Sequence, residues 1–268
     1  MEGGTWDASD TTHWATSSGA GVGGASVPGS GDVAIFDALS APLGGTCTVN
    51  TTVTVQQITM GAFTGTLDFS ANNNNVTLQT FSGTGIGARV LNMGNGTWTI
   101  TASTSNVWEC TTVTNFTLNA NSSTLDFAST PTNNRQLNLG GKTYNNISVT
   151  NAVASPFNVD FASAGAFTVS GNLTFTNVRQ VRFAASTTIN ITGTLTYNGT
   201  QSQQGMIYTT WLTATVSVGA TNILNWVLIQ SITKAGAGSI SAVNSFDGSG
   251  NIGVTITGPG GGARIVSG

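Results

Sequence analysis

Phe167-Thr168-Val169 and, four residues on, Leu173-Thr174-Phe175 carry the pattern on which the reading of this chain turns. Side chains alternate across a strand, so each triplet puts two apolar residues on one face and a threonine on the other. The unit recurs from about residue 50 onward: Val53-Thr54-Val55, Trp98-Thr99-Ile100, Phe116-Thr117-Leu118, Leu125-Asp126-Phe127, Val159-Asp160-Phe161, Ile189-Asn190-Ile191 and Leu195-Thr196-Tyr197. Turn signals such as Gly94-Asn95-Gly96, Gly140-Gly141 and Asn198-Gly199 lie between them. No ten-residue window shows a 3.6-residue apolar period, and the helix formers Glu and Lys occur twice each. The chain is all-β.

Two architectures compete. A sandwich uses strands of roughly 5–6 residues joined by hairpins. A solenoid stacks shorter strands coil upon coil and tolerates irregular loops. The short, similar and numerous elements favour a right-handed parallel β-solenoid (β-helix), with a β-sandwich as the alternative. Thr-Leu-Asp-Phe at Thr66–Phe69 and again at Thr124–Phe127 supports an internal repeat without a strict period. The run Asn72–Asn75 fits a turn at which Asn side chains of neighbouring coils hydrogen-bond. Three segments follow: residues 1–40 as an N-terminal cap or attachment segment, 41–257 as the solenoid body, and 258–268 as a Gly-rich tail. The first contains Trp6, Trp14, Pro28 and Phe36, which are the candidate capping and attachment residues, and a Gly-rich linker from Gly19 to Gly24. Open sheet edges polymerise unless covered, so large aromatics at one end suit closure.

Only 7 basic and 10 acidic residues occur among 268, for a net charge of −3. The basic residues are scattered, with no stripe to neutralise a row of phosphates, so nucleic acid is not an expected partner. No apolar run reaches membrane-spanning length. Met1-Glu2-Gly3-Gly4 lacks the pattern of a secretory signal, so either a leader has been removed or the protein leaves the cell without one. Cys47 and Cys110 allow at most one disulfide and resemble no zinc site.

Candidate chemistry is sparse. Asp68, Asp126 and Asp160, stacked on one face, would offer the paired carboxylates of glycoside hydrolysis; the plainer reading is a solvent-facing spacer between two core positions. His13, the sole histidine, has no nucleophile motif around it. Asp32 and Asp37 lack the oxygen density of a calcium loop. Trp98, Trp108, Trp211 and Trp226 form either a sugar-stacking platform or core; Trp226 alternates with Leu224 and Leu228, which points to core. Thr-x-Thr pairs such as Thr97/Thr99 and Thr174/Thr176 recur too irregularly for an ice-binding ladder. No catalytic, cofactor-binding or metal-binding residue is assigned, and the chain is not expected to be an enzyme.

Gly4-Thr5-Trp6-Asp7, Trp14, Gly23 to Pro28, Asp32 and Phe36-Asp37 resemble the opening of a group of β-solenoid proteins encoded by bacteriophages and by some bacterial surface-protein genes. The similarity continues at Gly94 to Thr99, Val107-Trp108, Gly141 to Asn146 and Asn244 to Asn251. Two departures stand out: relatives carry a few more residues, including an aromatic pair, before Gly3-Gly4, and they place a Trp where this chain has Ile252-Gly253-Val254. The resemblance implies a virion structural protein that decorates the capsid or forms part of a tail or fibre appendage. The expected partners are further copies of itself, as a trimer, other virion proteins and host surface glycans. Its alternatives are a bacterial cell-surface adhesin or glycan-binding solenoid, and a polysaccharide-degrading tail spike.

Overall fold

The computed structural model describes residues 4–17, 23–40, 44–102, 106–128, 134–150, 158–161, 165–210 and 212–260, and the backbone of 263–266. Every regular element among them is a β-strand, and the strands stack in parallel as a β-solenoid. The parallel pairing excludes the sandwich alternative, whose neighbouring strands run antiparallel. Two compact units result, Met1–Thr101 with Trp108–Leu125, and Ala102–Val107 with Asp126–Gly268.

In the first unit, Gly4–Trp6, Thr46–Val49, Thr66–Asp68, Arg89–Asn92 and Phe116–Asn119 stack in that order. A second ladder runs Val33–Ile35, Val53–Thr59, Val76–Ser82 and then Thr97–Ile100. Within Val53–Thr59 the buried residues are Val53, Val55 and Ile58. The break in alternation at Gln56-Gln57 is a corner that carries one strand across two faces.

In the second unit three ladders repeat. One face stacks Asn146–Thr150, Leu173–Thr176, Leu195–Asn198, Thr221–Asn225, Ser239–Val243 and Val254–Thr257. The next stacks Arg135–Asn138, Asn158–Phe161, Gln180–Phe183, Gly205–Tyr208, Val227–Gln230 and Phe246–Asp247. The third stacks Thr143–Tyr144, Phe167–Val169, Thr188–Ile191, Ala214–Val218 and Ile232–Ala235. Within the segment read as a Gly-rich tail, Ala263–Val266 forms a strand antiparallel to Val254–Thr257 and covers that ladder's last edge.

Parallel register places like on like. Val149, Phe175, Tyr197, Leu224, Ala242 and Ile256 form one inward column, all buried. Each large apolar side chain so buried contributes about 1.5–3 kcal/mol. Asparagine side chains join the coils at the corners, as the Asn72–Asn75 run led one to expect. Asn72 Nδ2 donates to Asn50 Oδ1 at 2.6 Å, and Asn73 Oδ1 accepts from Asn95 N–H at 2.9 Å. Asn95 Oδ1 in turn accepts from Ser122 N–H at 3.2 Å. These bonds span 22, 22 and 27 residues, and one in the second unit, Ser239 to Thr221, spans 18. Coil length is therefore irregular, because loops of different size leave the corners.

Two buried polar groups hold the interior of particular coils. The Arg89 guanidinium, fully buried, donates to the carbonyls of Gly83, Gly85, Gly87, Thr112 and Thr114 and lies 4.9 Å over the Phe116 ring. Burial lowers its pKa, and the five carbonyls replace the water it has lost. The Tyr197 hydroxyl donates to the Val178 carbonyl, and a Cβ at Gly205 would fall on that hydroxyl. Tyr197→Phe, which strips a buried carbonyl of its donor, is expected to lower stability by about 1–3 kcal/mol. Gly205→Ala should cost about 1–3 kcal/mol by overpacking, and urea denaturation of the double variant should show less than the sum of the two losses.

Candidate functional site

The N-terminal segment folds as a closed aromatic layer. Trp6 and Trp14 meet edge to face with ring centroids 4.9 Å apart; Phe36 lies 6.1 Å from each and 5.4 Å from Phe63 of the coil that follows. Three of the four candidate residues, Trp6, Trp14 and Phe36, are thus brought together. Pro28 stands outside the ring cluster, half-buried before a turn in which Asp32 Oδ2 accepts from Gly29 N–H at 2.8 Å. Most of the Gly19–Gly24 linker lies outside the described residues.

The backbone of the segment is tied to itself and to the first coils. Gly24 N–H donates to Thr11 O at 2.8 Å and Ala25 N–H to Trp14 O at 3.0 Å. The strands Gly4–Trp6 and Val33–Ile35 are the first rungs of the two ladders of their unit. Its aspartates build turns: Asp7 Oδ1 accepts from Ser9 and Asp10 N–H, and Asp37 Oδ1 from Leu39 N–H. Asp10 Oδ1 accepts both Thr12 N–H and Oγ1–H, which holds its carboxyl below the usual range, with His13 3.3 Å away helping. His13 thus pairs with an aspartate and packs against Gly4.

Burial separates two roles within the segment. Trp6 and Phe36 are 1% and 5% exposed, so they close the layer and present nothing to a partner. The large apolar side chains that the segment shows to solvent are Val33, Ile35 and Leu39, at 41%, 59% and 56% exposure. Asp7, Asp10, Asp32 and Asp37 are its acidic residues among those described, and the segment contains no Lys or Arg. The surface of this segment is therefore apolar in patches and acidic.

Each of the three aspartates has partners of its own. Asp68 sits beside Thr48 and Asn92 in register, and its Oδ1 accepts from Ser70 N–H and Oγ–H at 2.8 and 2.6 Å. Asp160 is buried and sits beside Gln136 and Arg182, whose guanidinium grips it through two nitrogens, Nε at 3.0 Å. That pairing raises the Arg182 pKa. Asp126 belongs to Thr124–Ala128; burial pushes its carboxyl up while Ser148 and Arg135 pull it down. The spacer reading fits Asp68, but Asp160 is an ion-paired residue and not a bare solvent-facing one.

Trp98 and Trp108 are fully buried and pack in one aromatic cluster with Phe81. Trp211 lies outside the described residues. Trp226 departs from the expected core position: it is a half-buried corner residue with φ 52°, and Leu228 beyond it faces outward. Alternation with Leu224 fails because the corner between two faces resets it. Among the described residues no group of three or more His, Cys, Asp or Glu could hold a metal ion, and no helix is long and apolar enough to cross a membrane. Both cysteines are thiols, and burial pushes that of Cys47 up to about 12.

No protein-family model matches the chain, and neither does any curated protein or solved structure. Trp6→Ala is expected to cost about 3–5 kcal/mol as a core truncation. Ile35→Asp, at an exposed position, should change stability by no more than about 0.5 kcal/mol. Thermal unfolding of the two variants checks the division between closing and displayed residues.

Proposed function

We propose that the protein is a structural component of a bacteriophage virion, displayed on the capsid or built into a tail or fibre appendage, and that it has no enzymatic role. The observation that carries this reading is the N-terminal segment, with Trp6 and Phe36 buried and Val33, Ile35 and Leu39 turned outward beside acidic residues. Such a surface suits attachment, because exposed apolar groups rimmed by charge mark sites of protein contact. The partner would be another virion protein or a second copy of this chain.

The rest of the molecule supports a passive, durable role. Stacked apolar columns, Asn-bonded corners and a surface with few charges resist unfolding and non-specific adsorption. The pairing of Asp160 with Arg182, and the separate settings of Asp68 and Asp126, favour a structural part over a polysaccharide-degrading spike.

Mass spectrometry of density-gradient-purified particles from the sample that carries the gene should detect peptides of this chain. Ile35→Asp should leave the protein folded and absent from the particles. Recovery of the wild-type chain only with cell envelopes would overturn the reading in favour of a bacterial surface protein.

A further inference from the structure

Trp226 occupies a position that its shape disfavours. It sits at the corner between Thr221–Asn225 and Val227–Gln230 with φ 52°. A bulky side chain in the left-handed region is an outlier, and outliers of this kind gather at functional sites. Two other corners between the same faces hold Asn177 (φ 57°) and Asn244 (φ 51°), the residue type that tolerates this conformation. The indole is half-buried, and it makes no ring contact and no side-chain hydrogen bond among the described residues.

Its surroundings are rich in uncommitted amides. Gly199 N–H donates to Asn225 O at 3.1 Å, and Gly205 N–H donates to Trp226 O at 3.2 Å. The loop between those two glycines therefore leaves and returns at the peptide units next to the indole. A close backbone approach makes this possible, since a Cβ at Gly199 would lie 2.8 Å from Trp226 O. Within the loop Thr200 and Gln203 exchange backbone hydrogen bonds at 3.2 and 3.0 Å, and Gln204 Nε2 donates to Gln201 O at 3.2 Å. The backbone is thus held while the side-chain amides of Gln201 and Gln203 remain unbonded among the described residues. Asn198 and Asn225, paired in register at the strand ends before the corner, also turn outward. No charged residue occurs in 198–206 or 221–231.

We infer that the Trp226 corner, with Asn198, Asn225, Gln201 and Gln203, is a binding site for a neutral saccharide. A pyranose ring offers a C–H face to stack on an indole and a rim of hydroxyls, each both donor and acceptor. Primary amides match that rim because each carries two donors and an acceptor. Neither stretch carries a charge to pair with a sulfate, phosphate or uronate; exposed Arg179, whose carbonyl accepts from Met206 N–H at 2.9 Å, belongs to the neighbouring coil. The inference is independent of where the protein is displayed, and it holds equally for a virion or a cell-surface protein.

The test is calorimetric titration of the full chain with maltotriose, cellotriose and triacetylchitotriose at millimolar concentration, alongside indole fluorescence. At least one should bind the wild type. Trp226→Asn should weaken that binding tenfold or more while the melting temperature stays level or rises, since Asn relieves the backbone at this corner. Gln201→Ala combined with Gln203→Ala should weaken binding severalfold with no change in melting temperature. Three outcomes would each overturn the inference: no binding by the wild type to any of the three sugars, binding unchanged in Trp226→Asn, or a fall in melting temperature in that variant as large as for a buried aromatic.

Discussion

Parallel, in-register stacking of one coil on the next is the constraint from which the other features follow. A strand paired in this way sets its inward side chains directly over those of its neighbour, so a core builds as columns such as Val149, Phe175, Tyr197 and Leu224. It also satisfies the backbone between coils, so that helices or hairpins are needed only where a ladder stops. Ala263–Val266 meets that need on the last strand of one ladder by pairing antiparallel. The aromatic layer of Trp6, Trp14 and Phe36 packs on Phe63 where the first coils begin.

Corners are where the constraint becomes demanding, because the chain must change face within one or two residues. Left-handed backbone supplies the turn, and Asn is the preferred non-glycine residue there, as at Asn73, Asn115, Asn121, Asn177 and Asn244. The amide does a second job at some of these corners by bonding the backbone of an adjacent coil, as Asn73 does with Asn95 and Asn115 with Ile86. Trp226 takes the same left-handed conformation without an amide to bond the next coil, which sets it apart from these asparagines.

The fold was legible because its main signal is local: apolar–Thr–apolar triplets need no knowledge of distant partners. The coil length was not, since side-chain bonds between coils span anything from 17 to 30 residues and the insertions carry no common motif. Trp226 was misread for a related reason. Two-residue alternation from Leu224 through Leu228 holds only along one strand, and nothing in those five residues marks the corner between them. The partner of Asp160 was also hidden, because Arg182 comes beside it only once the register of adjacent coils is known. The buried Arg89 had a visible cue in Gly83, Gly85 and Gly87, an alternation of glycines that lets the backbone wrap its own side chain.

Register is therefore the quantity to measure. In a Cys47→Ser, Cys110→Ser background, Thr174→Cys with Thr196→Cys places two outward thiols on paired residues of adjacent coils. Strands so paired lie about 4.8 Å apart, within the span of a disulfide. Moving the second cysteine to Asn198 displaces it by two residues along the strand, to about 8 Å, beyond that span. Mild oxidation should link the first pair rapidly and leave the second as thiols. Equal linkage of both pairs, or of neither, would contradict the in-register parallel stack.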